Sequence, residues 1–180
     1  MKPAPDLSSM SLAEVAQALA EQRLPPVDQW NPAHCGDSEM RIARDGTWFH
    51  QGSPIGRTAM VRLFSTILRR ESDGSYVLVT PAEKLDIVVE DTPFIAVEVR
   101  HEGIGDARQM TFRLNTGDLV MAGPEHRFRF GSVPYLHVRG GMEARLARPV
   151  YYELANLAID EGHDPPGLWS DGLFFPVTAA

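Results

Sequence analysis

Two segments of this chain carry the same pattern of a turn followed by a strand, and this repetition constrains the fold more than any other sequence feature. Asp73–Ala82 is D-G-S-Y-V-L-V-T-P-A, and Asp171–Ala180 is D-G-L-F-F-P-V-T-A-A. Aspartate, glycine, an aromatic residue, valine, threonine and alanine coincide in the two segments. A chain that repeats one supersecondary pattern is typical of an internally duplicated fold. We therefore predict two related units.

The residues that precede each segment repeat as well. The first copy has a hairpin pattern around Asp45–Gly46 and then an apolar helical stripe that starts near Arg57. The second copy has a hairpin pattern around Gly140–Gly141 and then a helical stripe that starts at Arg148. Asp-Gly and Gly-Gly pairs suit tight hairpin turns. We predict that residues 40–82 and 135–180 superpose as hairpin, helix and closing strand.

An N-terminal helix is predicted ahead of the first copy. Ser11 and Glu14 have the spacing of a capping box, in which each side chain bonds the backbone N–H of the other residue. The apolar residues that follow recur at helical spacing and are expected to dock on the body of the protein; they are Leu12, Val15, Ala16 and Leu19. Pro25 and Pro26 cannot continue a helix.

These patterns predict an α+β fold with two small β-rich domains related by internal duplication. Each domain has a helix packed on its strands, and the N-terminal helix is an addition to both. The polar stretch H-E-G-I-G-D-A-R, which begins at His101, is the best candidate for a boundary. We therefore predict an N-terminal helix and connector over residues 1–35, a first domain over 36–102 and a second domain over 103–180.

Charge and cysteine content restrict the classes of function. The formal net charge of −7 argues against broad nucleic-acid binding and against binding to anionic membranes, since both need a basic surface. A single cysteine, Cys35, permits no intramolecular disulfide. The N-terminal residues lack an apolar signal sequence, and no run is long enough to span a bilayer. We expect a soluble, cytoplasmic protein.

Candidate catalytic and metal-binding residues are few. Cys35 lies beside His34 and near His50, and a histidine can activate a thiol as a nucleophile. The same residues, with Asp37, are donors for metals, but they lack the paired spacing of known sites. We predict no catalytic residue, no metal and no cofactor. A small hydrolase or transferase that uses Cys35 or a histidine stays open as an alternative.

The arginines carry the main functional signal. The segment from Arg100 to Arg148 contains many arginines and no lysine, which favours forked hydrogen bonds to carboxylate or phosphate. Arg57 and Arg148 both stand at predicted helix starts, where the helix dipole favours anions. Either an anion binds at each start, or each arginine pairs with an acidic residue of its own domain, for instance Glu90 or Glu98.

Several strings resemble an uncharacterised bacterial family, number 1285 among the domains of unknown function. They include C-G-D-S-E-M-R-I-A-R-D-G-T-W-F-H-Q-G-S-P-I, L-V-T-P-A-E-K, V-E-D-T-P-F and A-G-P-E-H, and the resemblance covers about Trp30 to Val177. It implies a duplicated two-domain α+β protein whose C-terminal domain is superficially a pleckstrin-homology-like roll. It also implies a ligand site between the domains, a nucleotide-like or nucleic-acid-based ligand, and a role in signal transduction.

Together, the residues and the resemblance predict a non-enzymatic protein that binds an anionic small molecule between its domains. Three arginines would hold the charge of the ligand, and three further residues would border it. The arginines are Arg57, Arg139 and Arg148, and the bordering residues are Lys84, His126 and Trp48, whose indole would offer a stacking face. A protein-interaction module that uses sheet edges, without a small ligand, is the second alternative.

Overall fold

The computed structural model of this chain describes residues 7–177. These residues form three α-helices, namely α1 (Leu12–Glu21), α2 (Thr58–Thr66) and α3 (Arg148–Glu161). They divide into two compact units. The first contains Gln22–Pro93 and Gly140–Met142, and the second contains residues 7–21, Phe94–Arg139 and residues 143–177. Residues 1–6 and 178–180, at the outer ends of the predicted domains and of the repeated pattern, lie outside this description.

The first unit is built on a six-stranded mixed sheet. Its strands are β1 (His34–Ile42), β2 (Trp48–His50), β3 (Ser53–Pro54), β4 (Leu68–Arg70), β5 (Tyr76–Val79) and β6 (Glu83–Val89). They lie in the order β3-β2-β1-β6-β5-β4. The central strands β1 and β6 pair in parallel, and all the other neighbours are antiparallel. The predicted turn at Asp45–Gly46 joins β1 to β2.

The core of the first unit forms where α2 lies on this sheet. Phe64 of α2 stacks on Trp48 of β2, with ring centroids 6.5 Å apart and an angle of 18° between the planes. Trp48 is also the register partner of Ile42 in β1, and both side chains are buried. The helix of the first unit is therefore packed on its strands, as the sequence predicts.

The second unit has a six-stranded mixed sheet of its own. Its strands are β7 (Phe94–Glu102), β8 (Gln109–Leu114), β9 (Leu119–Met121), β10 (Phe128–Arg129), β11 (Tyr135–Arg139) and β12 (Met142–Leu146). They lie in the order β10-β11-β12-β7-β8-β9, with β12 and β7 parallel. A separate antiparallel pair follows α3 and consists of β13 (Gly167–Ser170) and β14 (Leu173–Pro176).

The second sheet curls on itself. Its strands β10 and β8 are far apart in the sheet order, yet the rings of Phe128 and Phe112 meet edge to face, with centroids 5.4 Å apart. Phe128 also contacts Phe175 of β14 at 5.0 Å, so the small hairpin joins the same core. Helix α3 packs on β7 and β13 through a stripe of buried residues. Within residues 7–177, no helix combines the length and the apolar composition that crossing a membrane requires.

The internal duplication is confirmed in the topology of the two sheets. In each unit the first strand lies at the centre, and the next two strands extend to one edge. The chain then crosses to the opposite edge, and three further strands lead back to the centre. The sixth strand pairs in parallel with the first, as β1 with β6 and as β7 with β12. The two sheets therefore share one order of strands.

The predicted alignment of the two copies was wrong, although the duplication exists. The repeat relates residues 34–89 to residues 94–146, because α2 lies between the third and fourth strands whereas α3 follows the sixth. Arg57 and Arg148 are consequently not equivalent. The matching Asp-Gly pairs reflect a shared need for glycine in a turn, since Gly74 and Gly172 both adopt positive φ, at 90° and 72°. The two turns differ in type, because Asp171 also has a positive φ of 50° whereas Asp73 does not.

The two compact units divide between Pro93 and Phe94, ahead of the boundary that the polar stretch at His101 suggested. Strand β7 pairs with β8 and β12, and it is therefore part of the second sheet. The polar stretch forms the end of β7 and its connection to β8. Polarity at this point marks an exposed hairpin loop, which has the same composition as a linker between domains.

Helix α1 docks on the second unit through a small set of contacts. The predicted capping box forms: the Ser11 N–H donates to Glu14 Oε2 at 2.6 Å, and the Glu14 N–H donates to Ser11 Oγ at 3.3 Å. The preceding 3-10 turn is bound by Glu98, whose carboxylate accepts the N–H groups of Leu7 at 3.3 Å and Ser8 at 2.8 Å. A small apolar cluster adds to these bonds; its buried members are Leu7, Val15 and Leu119.

We predict that Glu98→Ala releases α1 from the sheet. Glu98 also accepts from Arg113 Nε at 2.7 Å, so its removal leaves three donors without their acceptor. We expect a loss of about 1–3 kcal/mol in the free energy of unfolding, as for hydrogen bonds to a charged group. Chemical denaturation measures this loss, and hydrogen exchange of the α1 amides reports the release.

The matched control is Glu143→Ala, which removes the partner of the exposed Arg129. We expect this variant to lose less than about 1 kcal/mol, because exposed ion pairs contribute little. Equal losses in the two variants, with unchanged exchange in α1, would show that Glu98 does not hold the helix.

Candidate functional site

The second unit contains a cavity of about 420 Å³ between α1 and its sheet. This volume lies within the range of roughly 300–1,000 Å³ that is typical of small-molecule sites. One wall is formed by residues of α1, namely Leu12, Val15, Ala16, Leu19 and Ala20. The floor is formed by residues of β7, β8 and β9, namely Arg100, Glu102, Gln109, Thr111 and Met121.

The helical wall of the cavity is apolar because one face of α1 points at the sheet. The five wall residues follow the spacing of a single helix face. Val15 alone among them is buried, whereas the Leu12 side chain remains 54% exposed. Ala16 and Ala20 carry only a methyl group, and their small size leaves the space that larger side chains would fill.

The floor of the cavity is polar, and the register of the strands assembles it. Arg100 and Glu102 are two residues apart on β7, so their side chains share one face of the sheet. The same holds for Gln109 and Thr111 on β8. Arg100 is the register partner of Thr111, and Glu102 is the partner of Gln109. Four hydrogen-bonding side chains therefore lie side by side below α1.

The charges on the floor balance one another. Arg100 Nη2 forms an ion pair with Glu102 Oε1, and Arg100 Nη1 donates to the carbonyl oxygen of Leu7 at 3.5 Å. A guanidinium has five N–H donors, so Arg100 retains capacity for a further acceptor. The ion pair is partly exposed, with the Arg100 side chain at 25% and the Glu102 side chain at 31%. A ligand in the cavity would meet both charges.

Three of the residues predicted to bind a ligand lie in the first unit. Trp48 is 1% exposed and belongs to the core, so its indole offers no free face for stacking. Lys84 is half-buried, with its Nζ 3.9 Å from Glu71 Oε2. Arg57 is exposed at the N-terminus of α2. Of the three, Arg57 is the one whose side chain is exposed. Within residues 7–177, no carboxylate lies within 4.0 Å of its guanidinium.

The other three predicted residues lie in the second unit. Arg139 is half-buried over the Phe94 ring at 4.9 Å, with its Nη1 3.9 Å from Asp118 Oδ2. Burial lowers the pKa of Arg139, and the Asp118 carboxylate acts in the opposite direction. His126 bonds the carbonyl oxygen of His137 through Nδ1 at 3.2 Å. Arg148 begins α3 and is exposed.

The acidic partners suggested for the helix-start arginines are engaged elsewhere. Glu90 accepts the Arg44 N–H at 3.0 Å and pairs with Arg41, and these contacts hold the pKa of its carboxyl below the ordinary value. Glu98 binds the 3-10 turn and Arg113, as described above. Within residues 7–177, no carboxylate lies within 4.0 Å of the Arg57 or Arg148 guanidinium. The described residues therefore provide neither Arg57 nor Arg148 with the acidic partner that was one of the two alternatives.

Cys35 is exposed and has no activating histidine beside it on the same face. His34 precedes it in β1, so the two side chains point to opposite faces of the sheet. His50 is the register partner of Met40, further along the strand. Among the described residues, no group of three or more histidine, cysteine, aspartate and glutamate side chains is arranged to hold a metal ion.

Sequence reasoning missed the floor of the cavity. The apolar stripe of α1 was predicted correctly, but the stretch that holds Glu102 was interpreted as a boundary between domains. The alternation of polar and apolar residues in β8 was a usable signal, because Gln109 and Thr111 flank the buried Met110. No local pattern in the sequence indicates that β8 pairs with β7.

Comparison with protein families matches nearly the whole described chain. The N-terminal domain of DUF1285, a domain of unknown function, matches residues 25–92. The C-terminal domain of DUF1285, a protein of unknown function, matches residues 93–177. The border between the two matches lies within one residue of the division between the two compact units. No match was found among curated proteins.

Two solved structures are similar to this chain. A DUF1285 family protein from Silicibacter pomeroyi DSS-3 is 46% identical, with a TM-score of 0.80, over 93% of this chain and 94% of that protein. A DUF1285 family protein from Shewanella baltica OS155 is 25% identical, with a TM-score of 0.55, over 65% of this chain and 90% of that protein. The fold described above is therefore shared with experimentally determined structures.

We predict that the helical wall of the cavity loosens on acidification. The pKa of Glu14 is lowered by its hydrogen bonds with Ser11, first through the side chain and then through the backbone. Because the pKa of Glu14 is lower in the folded protein than in the unfolded chain, the ionised carboxylate stabilises the folded state fully at pH values above the unfolded pKa. This stabilisation is lost as the pH falls through the folded pKa. NMR chemical shifts of α1 at about pH 7 and about pH 3 should report reduced helicity at the lower pH.

The control for this prediction is Glu14→Gln, because glutamine keeps the capping bond without a titratable group. We expect the helicity of α1 in this variant to change little between the two pH values. The same loss of helicity in both proteins would mean that Glu14 is not its cause.

Proposed function

This chain belongs to the DUF1285 family, and on that premise we propose that it is a binding protein without enzymatic turnover whose second unit holds a small amphipathic molecule beneath α1. The carrying observation is the cavity of about 420 Å³, with an apolar wall on α1 and a polar floor on β7 and β8. A mainly apolar pocket with a few convergent polar groups is the usual form of a small-molecule site. Binding without turnover also fits the signalling role that the family resemblance implied.

The polar floor favours a ligand that carries both charges. A simple anion would approach Glu102 as closely as Arg100, because the two side chains lie on one face of β7. A zwitterion would bring a carboxylate to Arg100 and an ammonium group to Glu102. Hydrogen bonds to charged groups contribute about 1.5–3 kcal/mol, against about 1 kcal/mol for neutral ones. The polar end should therefore determine which ligands bind.

We predict that phenylalanine, as a probe, binds more tightly than 3-phenylpropionate or phenethylamine. The three molecules share an apolar body, and only the first has both charges. Isothermal titration calorimetry gives the three affinities, and a thermal-shift assay gives an independent ranking, because a ligand that favours the folded state raises the Tm. The variant Ala16→Trp should weaken binding by about tenfold or more, that is by at least about 1.4 kcal/mol, because the indole fills the cavity.

Ala13→Trp is the matched control, since Ala13 is an exposed alanine of α1 that does not line the cavity. Its affinity for the probe should equal that of the parent protein. If the two tryptophan variants bind equally well, or if no probe of the three classes binds, the cavity is not the ligand site.

Binding of a nucleotide-like anion at Arg148, in the second unit, is a second candidate function. The observation that favours it is that the Arg148 guanidinium is exposed and has no carboxylate within 4.0 Å in residues 7–177. Of the remaining residues first assigned to this site, Lys84 and Arg139 already have acidic neighbours, and Trp48 is buried. His126 bonds a backbone carbonyl oxygen, and Arg57 belongs to the first unit. We therefore restrict the proposed anion site to Arg148 at the start of α3.

We predict that Arg148→Ala weakens the binding of ATP, as a probe, while the free energy of unfolding changes by less than about 0.5 kcal/mol. A lost charge-assisted bidentate contact should reduce the affinity by roughly tenfold or more. Calorimetric titration and thermal melting measure the two quantities. Arg23→Ala removes another exposed arginine and controls for net charge. A large loss of stability in Arg148→Ala would show that Arg148 has a structural role. Equal ATP affinity in Arg148→Ala and Arg23→Ala would show that Arg148 does not bind the anion.

A further inference from the structure

Two histidines of the second unit lie side by side near the edge of the sheet. His126 immediately precedes the short connection into β10, and His137 lies in the middle of β11. Their rings are nearly parallel, at an angle of 26°, with centroids 6.1 Å apart. Both residues are only partly buried, so the pair is accessible from solvent. The ligand site predicted from the sequence includes His126 alone, and neither function proposed above uses the pair.

Hydrogen bonds determine which nitrogen of each ring carries the proton. His126 Nδ1 lies 3.2 Å from the carbonyl oxygen of His137, and His137 Nδ1 lies 2.9 Å from the carbonyl oxygen of Glu125. A carbonyl oxygen only accepts, so Nδ1 must be the donor in both rings. In the neutral form of each imidazole, Nε2 is therefore the unprotonated nitrogen with a free lone pair.

This is the arrangement that metal-binding histidines adopt. A ligating imidazole almost always donates its other N–H to a backbone carbonyl or a carboxylate, which fixes the tautomer and the ring orientation. An ion bound to both Nε2 atoms at about 2.0–2.1 Å would lie roughly 3 Å from each ring centroid. The centroid separation of 6.1 Å is about twice this distance, so both nitrogens reach one ion only from nearly opposite sides of it, as the square-planar geometry of Cu²⁺ allows.

The backbone of the strands holds the two rings in place. Phe128 pairs with Leu136 and Arg129 with Tyr135, so the segments that carry the histidines are joined by a β-ladder. The N–H of His137 also donates to the carbonyl oxygen of Arg127 at 2.9 Å. The fold therefore holds the two rings near each other before any ion binds.

We propose that His126 and His137 form a two-histidine site for a late first-row divalent ion, with Cu²⁺ bound most strongly. Imidazole nitrogen suits these ions, and affinity at a given site rises along the series to Cu²⁺. The protein supplies two ligands, and water completes the coordination sphere. Two charged neighbours flank the pair: Glu125 is an exposed carboxylate, and Arg127 is turned toward the carbonyl oxygen of Pro124 at 3.0 Å.

The proposal is tested by titrating Cu²⁺ into the full chain by calorimetry, in a buffer that does not bind metals. Cys35→Ser serves as the parent, because the exposed thiol would compete for the ion. We expect one ion per chain, and weaker binding on acidification, because protons compete for the imidazole nitrogens. Electron paramagnetic resonance should show nitrogen coupling from two imidazoles.

The variants His126→Asn and His137→Asn separate ligation from structure. The asparagine amide can still donate to the carbonyl oxygen in the way that Nδ1 does, but it has no counterpart of Nε2. Each variant should lose at least about tenfold in affinity for Cu²⁺, which is about 1.4 kcal/mol. The control His50→Asn, which changes an exposed histidine of the first unit, should bind like the parent.

Two results would overturn the proposal. One is folded His126→Asn and His137→Asn variants that bind Cu²⁺ as tightly as the parent. The other is a resonance spectrum of the parent protein without coupling to two imidazole nitrogens. The spectrum needs no variant, so it decides the question even if a substitution prevents folding.

Discussion

A parallel pair of strands at the centre of each sheet is the constraint on which the rest of this structure depends. The pairs are β1 with β6 and β7 with β12, the first and last strands of each six-stranded segment. Parallel strands cannot be joined by a tight turn, so the chain between them must cross from one edge of the sheet to the other. The first unit makes this crossing with α2. The second makes it with a short loop between β9 and β10, which requires the curled sheet in which Phe112 meets Phe128.

The cavity and the histidine pair both follow from the way the second sheet is built. Pairing of β7 with β8 places Arg100 beside Thr111 and Glu102 beside Gln109, so four polar side chains face α1. The helix covers them without filling the space, because Ala16 and Ala20 stand where larger residues would be needed. Pairing of β10 with β11 brings His126 and His137 together in the same manner. Each arrangement joins residues that are separated along the chain.

The sequence predicts correctly those features that depend on interactions between neighbouring residues. The capping box of Ser11 and Glu14, the turn at Asp45–Gly46 and the start of α3 near Arg148 all depend on residues within one turn of one another. The site residues depended on burial and on partners, which no local pattern contains. Trp48 became core because Phe64 covers it, and Arg139 came to lie beside Asp118. The Asp-Gly match led to an incorrect alignment of the two copies, since an Asp-Gly pair occurs in turns of different types at many positions.

By itself, the sequence determined the α+β class, the existence of two related units, the amphipathic face of α1 and the family to which the chain belongs. These features depend on the spacing of apolar residues, on turn chemistry and on strings that resemble the family, all of which are encoded along the chain. Only the tertiary structure decided that β7 belongs to the second sheet, that Arg57 and Arg148 occupy different places in the repeat, and that Arg100 and Glu102 form the floor of a cavity. The physical reason is that strand register and long-range pairing depend on the combined packing of many side chains, whereas each local pattern is compatible with several pairings.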